Sequence, residues 1–221
     1  MRLLFRFAVS AALIAQAQAK AVFAHLMVGN TENYTSSDWA DDMLKAKKAH
    51  IDAFALNTAY GEAVNEGALV AAFSAASAVG LQLFFSFDYA GRGPWPQDTV
   101  IEYITKYASS GTYFHHNGKP FVSTFEGPDN ANDWISIKAQ TGCFFMPDWS
   151  SLGAKKAMTA GGGVADGLFS WAAWPWGYWD MWTYSDASYR DYLGGKPYMM
   201  PISPWFYQRS RQSNANNAKS N

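Results

Sequence analysis

The fold is decided by Leu81-Gln82-Leu83-Phe84-Phe85-Ser86-Phe87-Asp88-Tyr89-Ala90-Gly91. This run is apolar behind Gly80 and ends on a carboxylate followed by a glycine turn, which is the pattern of a buried parallel strand that delivers an acid to its rim. Asp88 has two readings at this point, a cap for the following turn or a chemical group at a strand end. The recurrence of the pattern along the chain favours the second.

Upstream of this stretch, residues 21–28 and 52–57 are strand-like apolar runs. Between them Ser37 opens a helical pattern through Trp39, Met43, Leu44 and Ala46 to His50, with Asp38, Asp41 and Asp42 near its positive end. A helix is predicted over 66–79, with Leu69, Val70, Phe73 and Val79 on its apolar side and Gly80 at its close. Downstream, Val100, Ile101, Ile104 and Tyr107 predict a helix over 99–108, followed by a hairpin over 113–119 around Asn117-Gly118. Strands are predicted at 121–125, 143–146, 167–173 and 197–206, interleaved with helices over 131–140, 154–160 and 180–193. Counting the last strand without its helix gives seven strand-helix units. Such alternation, with strands apolar on both faces, implies α/β architecture with a parallel sheet. This many units favours a (β/α)8 barrel of the TIM type, here incomplete, over a doubly wound sheet.

Residues 1–19 are expected to be a secretory signal: Arg2 and Arg6 precede an uncharged apolar middle, and Ala17 and Ala19 have signal-peptidase spacing. The apolar middle is shorter than the roughly 20 residues a membrane span needs, and no later segment is long and apolar enough. Residues 20–207 then form the barrel region, and 208–221, rich in Ser and Asn, read as a disordered tail. Without the signal, fifteen basic residues face eighteen acidic ones, a net charge of −3. That balance argues against nucleic acid or a membrane surface as partner and points to a neutral substrate; no obligate protein partner is evident. Cys143 is the sole cysteine and has no intrachain partner. Asn33-Tyr34-Thr35 is an N-glycosylation sequon, suited to a surface loop.

Aromatic residues make up 17% of the chain against 16% charged, with ten tryptophans, so rings must build both a core and, where they lie in loops, a platform for ligand. In a barrel, chemistry sits at the carboxyl ends of the strands. Those ends carry His25, Asn57 with Tyr60, Asp88 with Tyr89, Glu126, Asp148 with Trp149, then Trp171, Trp174 and Trp176; Trp95 stands between Pro94 and Pro96 in the loop after Asp88. Three carboxylates and many rings on one face suit a sugar polymer, with rings stacking on pyranose faces and acids binding hydroxyls or moving protons. Metal ligation fits poorly, because His115 and His116 are adjacent on a hairpin and point apart. His50 belongs to a solvated helix end, and Cys143 to inert core. No dinucleotide or P-loop fingerprint follows a strand, and no cofactor is implied; Gly161-Gly162-Gly163 precedes a strand, the wrong order for cradling phosphate.

The runs from Ala24 to Asn30, Asp52 to Asn57, Phe85 to Gly91, Phe121 to Gly127, Phe145 to Trp149, Gly167 to Trp176 and Pro197 to Tyr207 together resemble glycoside hydrolase family 71, the fungal α-1,3-glucanases or mutanases. The resemblance implies a secreted enzyme hydrolysing α-1,3-glucan of cell wall or biofilm by an inverting mechanism that uses two carboxylates. It matches Asp88 to an acid regarded as essential, and Glu126 to a strand-end acid expected to position substrate. Members of the family also carry a later strand ending in Trp-Asn-Asp-Tyr-Gly-Glu, whose acids look like the main pair; this chain lacks it. The expectation is therefore of a shortened barrel with two unpaired strand edges and low stability. The alternative to an active glucanase is a noncatalytic remnant that holds glucan on Trp95, Trp149, Trp171 and Trp174.

Overall fold

Each of the seven predicted strands forms, and every ladder between them is parallel, although the fifth and sixth share no ladder. The computed structural model describes residues 20–175 and 180–203; the expected signal (1–19), Trp176, the far end of the last predicted strand (204–206) and the expected tail (208–221) lie outside the described residues. The strands are β1 (Phe23–Met27), β2 (Ala53–Ala59), β3 (Gln82–Asp88), the hairpin strand β4 (His115–His116), β5 (Lys119–Phe125), β6 (Phe144–Phe145), β7 (Leu168–Phe169) and β8 (Tyr198–Met199). They alternate with α1 (Ser36–Lys48), α2 (Asn65–Val79), α3 (Gln97–Ala108), α4 (Asp133–Thr141), α5 (Gly153–Ala160) and α6 (Tyr184–Tyr192). The parallel order is β1–β2–β3–β5–β6. A second parallel pair, β7–β8, is joined to it by the bridges Phe125–Asp148 and Asp148–Phe169. Among the described residues no ladder joins β8 to β1, so the wall is open there.

The later strands are shorter than predicted. Pro147 follows β6, and Pro197 and Pro201 flank β8; a residue without an N–H cannot extend a ladder. Local signals held elsewhere. Thr35 caps α1 in a reciprocal capping box with Asp38, and Gly80 closes α2 at φ 74°, a left-handed conformation that favours glycine. The hairpin turns through Asn117 at φ 51° and Gly118, and β4 pairs antiparallel to the start of β5.

The wall is strongly curled. Strands three apart in a flat sheet stand about 14 Å from one another, yet the ring of Phe23 on β1 lies 5.7 Å from that of Phe121 on β5, centroid to centroid. Alternation sorts the side chains. Phe23, Phe84, Phe121 and Phe144 point to the inside of the curl and, with Phe114 from the hairpin, interlock at 4.8–6.1 Å into an aromatic floor at the amino-terminal end. Phe85 and Phe87 point outward to the helices, against Phe73, Trp95, Tyr103 and Tyr107. Helix pairs α1–α2, α3–α4 and α5–α6 pack side by side over this outer face. Cys143 is buried and free, as the sequence implied. His115 and His116 point apart: the His115 ring meets the Tyr113 carbonyl and the His116 ring meets Phe144.

Candidate active site

The residues after the floor on each inward-facing strand register lead to the opposite, carboxyl end of the wall. Asp88 pairs with Phe125 across β3–β5, and Phe125 bridges to Asp148, so both acids lie in one row with β5 between them, two strand spacings or about 10 Å apart. The same register sets Met27, Asn57, Ser86 and Ser123 in the row below. Asp88, Glu126 and Asp148 thus share one end of the sheet.

The cap reading of Asp88 is met directly. Its Oδ1 accepts the backbone N–H groups of Ala90 at 2.8 Å and Gly91 at 2.7 Å, fixing the turn, and the charge of the carboxylate reaches His25 on β1. His25 is open to solvent on one side, yet enclosure by the curled wall lowers its pKa against the raising pull of Asp88. The His25 ring meets Trp171 edge-on at 4.8 Å, and Trp171 also touches Phe125, Phe169 and Trp174. Trp171 therefore spans the trough from β7 to β1.

Glu126 leaves β5 at φ 55°, and Gly127 follows at φ 87°. A left-handed non-glycine residue costs about 1–2 kcal/mol, and such outliers gather at functional sites. Gly127 cannot carry a side chain, because a Cβ there would stand 2.5 Å from the Tyr89 ring. The Glu126 carboxylate accepts the Ser151 N–H at 3.0 Å and the Ser151 hydroxyl. Asp148, fully buried, accepts the Ser150 N–H at 3.0 Å and the Ser150 hydroxyl on Oδ1, while its Oδ2 has no partner. Burial pushes its pKa up to about 7, the Glu126 charge adds to the rise, and the Ser150 hydrogen bonds oppose it.

Three of the expected sugar-binding rings are corrected by the structure. Trp95 and Trp149 are 2% and 0% exposed and Tyr89 is buried, so none offers a face to a ligand. Trp95 lies on the helix side against Phe87 and Tyr103, its Nε1–H donating to the Thr58 carbonyl at 3.0 Å. Trp149 packs against Phe145 and Gly161, also on the helix side. The reason is parity: neighbours in a strand face opposite ways, so an inward Asp148 or Asp88 sends Trp149 or Tyr89 outward. Asn57 is buried on the inward face, Trp174 is partly buried against Trp171, Tyr60 is 39% exposed beside Trp95, and Asn33 is exposed. Trp176 lies outside the described residues. Sequence reasoning missed Ser150 and Ser151. Their positions two and three after a strand-end aspartate, where short hydroxyls bond local backbone and acids, could have flagged them. No group of three or more His, Cys, Asp or Glu side chains among the described residues could hold a metal ion.

The wall is an open, curled, parallel α/β sheet with acids and rings gathered at its carboxyl edge. Two structures of the GH99 endo-alpha-mannosidase from Bacteroides thetaiotaomicron share the fold, with TM-scores of 0.59 and 0.57 at 13% and 14% identity over 77% and 83% of this chain and 54% and 69% of theirs. The sequence signature of glycosyl hydrolase family 71 covers residues 18–220, and the chain belongs to that family. A mutanase of Penicillium rubens is 36% identical over 90% of this chain and 46% of its own length, and a glucan endo-1,3-alpha-glucosidase of Schizosaccharomyces pombe is 35% identical over 85% and 47%. An ascus wall endo-1,3-alpha-glucanase of the same yeast is 31% identical over 88% and 48%. The chain spans about half the length of these relatives.

Proposed function

We propose that this chain carries the substrate trough of a secreted glycoside hydrolase that cleaves α-1,3-glucan with inversion at the anomeric carbon. Asp88 is the first carboxylate of the pair and Glu126 the second, with His25, Tyr60, Trp171 and Trp174 as the sugar-contacting surface. One group protonates the departing glycosidic oxygen while the other takes a proton from the attacking water; water oxygen bonds to the anomeric carbon as the bond to the leaving oxygen breaks. The reading rests most heavily on the shared row of Asp88, Phe125 and Asp148, with Glu126 next in sequence, at one end of the wall. The names of the relatives supply the α-1,3-glucan, and the sequence-based signal and the Asn33 sequon agree with an extracellular, cell-wall setting. No helix among the described residues is long and apolar enough to cross a membrane.

Incubating the chain with α-1,3-glucan and following product by proton NMR tests this. Inversion of an α-linkage releases the β-anomer first. Release of α-anomer, or no sugar at all, overturns the proposal.

A further inference from the structure

We infer that Ser150 and Ser151 form a two-hydroxyl brace that positions Asp148 and Glu126 and fixes the backbone of Trp171. The inference rests on the hydrolytic reading given above, to which the brace adds positioning residues rather than catalytic ones. Four connections carry it. The Trp171 N–H donates to Ser150 Oγ at 2.7 Å. Ser150 in turn gives its hydroxyl and its N–H to one oxygen, Asp148 Oδ1. Ser151 gives its N–H to Glu126 Oε1 and its hydroxyl to Oε2, one donor for each oxygen. The Glu126 N–H donates to the Asp148 carbonyl at 2.8 Å, closing the circuit through the backbone.

These bonds join three strand ends: β5 through Glu126, β6 through Asp148 and β7 through Trp171. Short ladders at β6 and β7 leave these ends with little backbone pairing of their own, so side-chain bonds must set their spacing. A charge-assisted bond to each Glu126 oxygen also fixes the carboxylate plane, which a single donor would leave free to rotate. Glu126 sits at a left-handed φ of 55°, a conformation that persists only where the surroundings over-determine it; Ser151 supplies that constraint from the side-chain end. The unpartnered Asp148 Oδ2 is a poor place for a buried charge and a good one for a proton, since both donors act on Oδ1. The groups that face Asp148 are Glu126 from the end of β5 and the buried Tyr189 from α6.

The brace is tested in the whole chain by carbon-13 carboxyl NMR and by hydrolysis kinetics. Ser150→Ala removes a bond that favours ionised Asp148, so the Asp148 titration midpoint moves upward by about one pH unit, and Ser150→Thr restores it; an unmoved midpoint overturns the brace. If Ser150→Ala does not fold, Glu126→Gln takes its place: loss of the neighbouring charge lowers the Asp148 midpoint, and no movement again overturns the linkage. Ser151→Ala lowers kcat by about 10²-fold through misplacement of Glu126, with KM held within about twofold and activity regained in Ser151→Thr. A wild-type kcat in Ser151→Ala counts against the brace. If the unaltered chain hydrolyses no glucan, the hydrolytic reading fails, and the carboxyl titrations alone decide the brace.

Discussion

The two ends of the same curled wall are built on opposite terms. At the amino end, Phe23, Phe84, Phe114, Phe121 and Phe144 interlock into a floor. At the carboxyl end the same inward register presents Asp88, Asp148 and, below them, Asn57, with His25 and Glu126 beside the row. Burial of aromatic area stabilises one end by several kcal/mol per ring. The other end carries a buried acid with a bare oxygen and a left-handed glutamate, both of which cost stability. The contrast teaches that each strand divides its labour along its length. Stability is concentrated where no chemistry is proposed, and this lets the opposite rim hold polar groups in costly settings.

The contrast would be broken most sharply by Asp88→Asn. An amide oxygen still accepts from Ala90 and Gly91, so the turn survives and the thermal midpoint stays close to that of the unaltered protein. Under the proposed mechanism, proton transfer does not survive. Sugar release from α-1,3-glucan falls by about 10²–10⁴-fold; a rate near that of the unaltered chain would remove Asp88 from the chemistry.

The converse change is at the floor. Phe84 is 0% exposed with partners on β1, β5 and the hairpin. Phe84→Ala costs about 3–5 kcal/mol, read as a fall in the urea midpoint, while activity per folded molecule is retained. A large loss of activity without loss of stability would show that the two ends are not separable.

Asp148→Asn probes the cost carried by the rim. The folded carboxyl has a pKa of about 7 against an ordinary 3.8, so the native state binds the proton more tightly than the unfolded chain. Stability from this group is therefore greatest below about pH 4, declines between pH 4 and 7, and is flat above. The amide removes that decline, raising stability at pH 8 by about 4 kcal/mol relative to its effect at pH 4, at about 1.4 kcal/mol per pH unit over about three units; the amide's own unmet bonds do not vary with pH and cancel in this comparison. Parallel pH–stability curves for the two proteins would show that Asp148 does not titrate in this range.

Much of this molecule was legible in the sequence, for a physical reason. Continuous apolar runs such as Leu83 to Phe87 cannot be amphipathic, so they announce a strand covered on both faces, and seven of them in alternation announce the parallel wall. Strand-end acids were legible as well, because a carboxylate closing an apolar run has few other places to be. Ring roles were not. Trp95 between two prolines looks like an exposed loop residue, and only the tertiary fold turns it onto Phe87 and Tyr103. Trp149 was misplaced for a different reason: applying two-residue alternation beyond Phe145 would have sent it outward. Ser150 and Ser151 were hidden because two serines in a loop have no periodicity, and Glu126, the partner of Ser151, lies twenty-five residues away in sequence.

The smallest effect separates two touching rings. Tyr60 and Trp95 meet edge-on at 5.4 Å, yet Tyr60 is 39% exposed and Trp95 is 2% exposed. The exposed ring has a face to offer a glucose unit and little burial to lose. Tyr60→Ala therefore leaves the urea midpoint nearly unchanged and raises KM for glucan by roughly two- to tenfold, the equivalent of about 0.5–1.5 kcal/mol for one ring contact, with kcat held. The Tyr60→Phe variant keeps the face and the affinity. An unaltered KM in Tyr60→Ala would confine the sugar-contacting surface to the trough spanned by Trp171 and His25, and would draw the boundary between core and site one residue closer to β2.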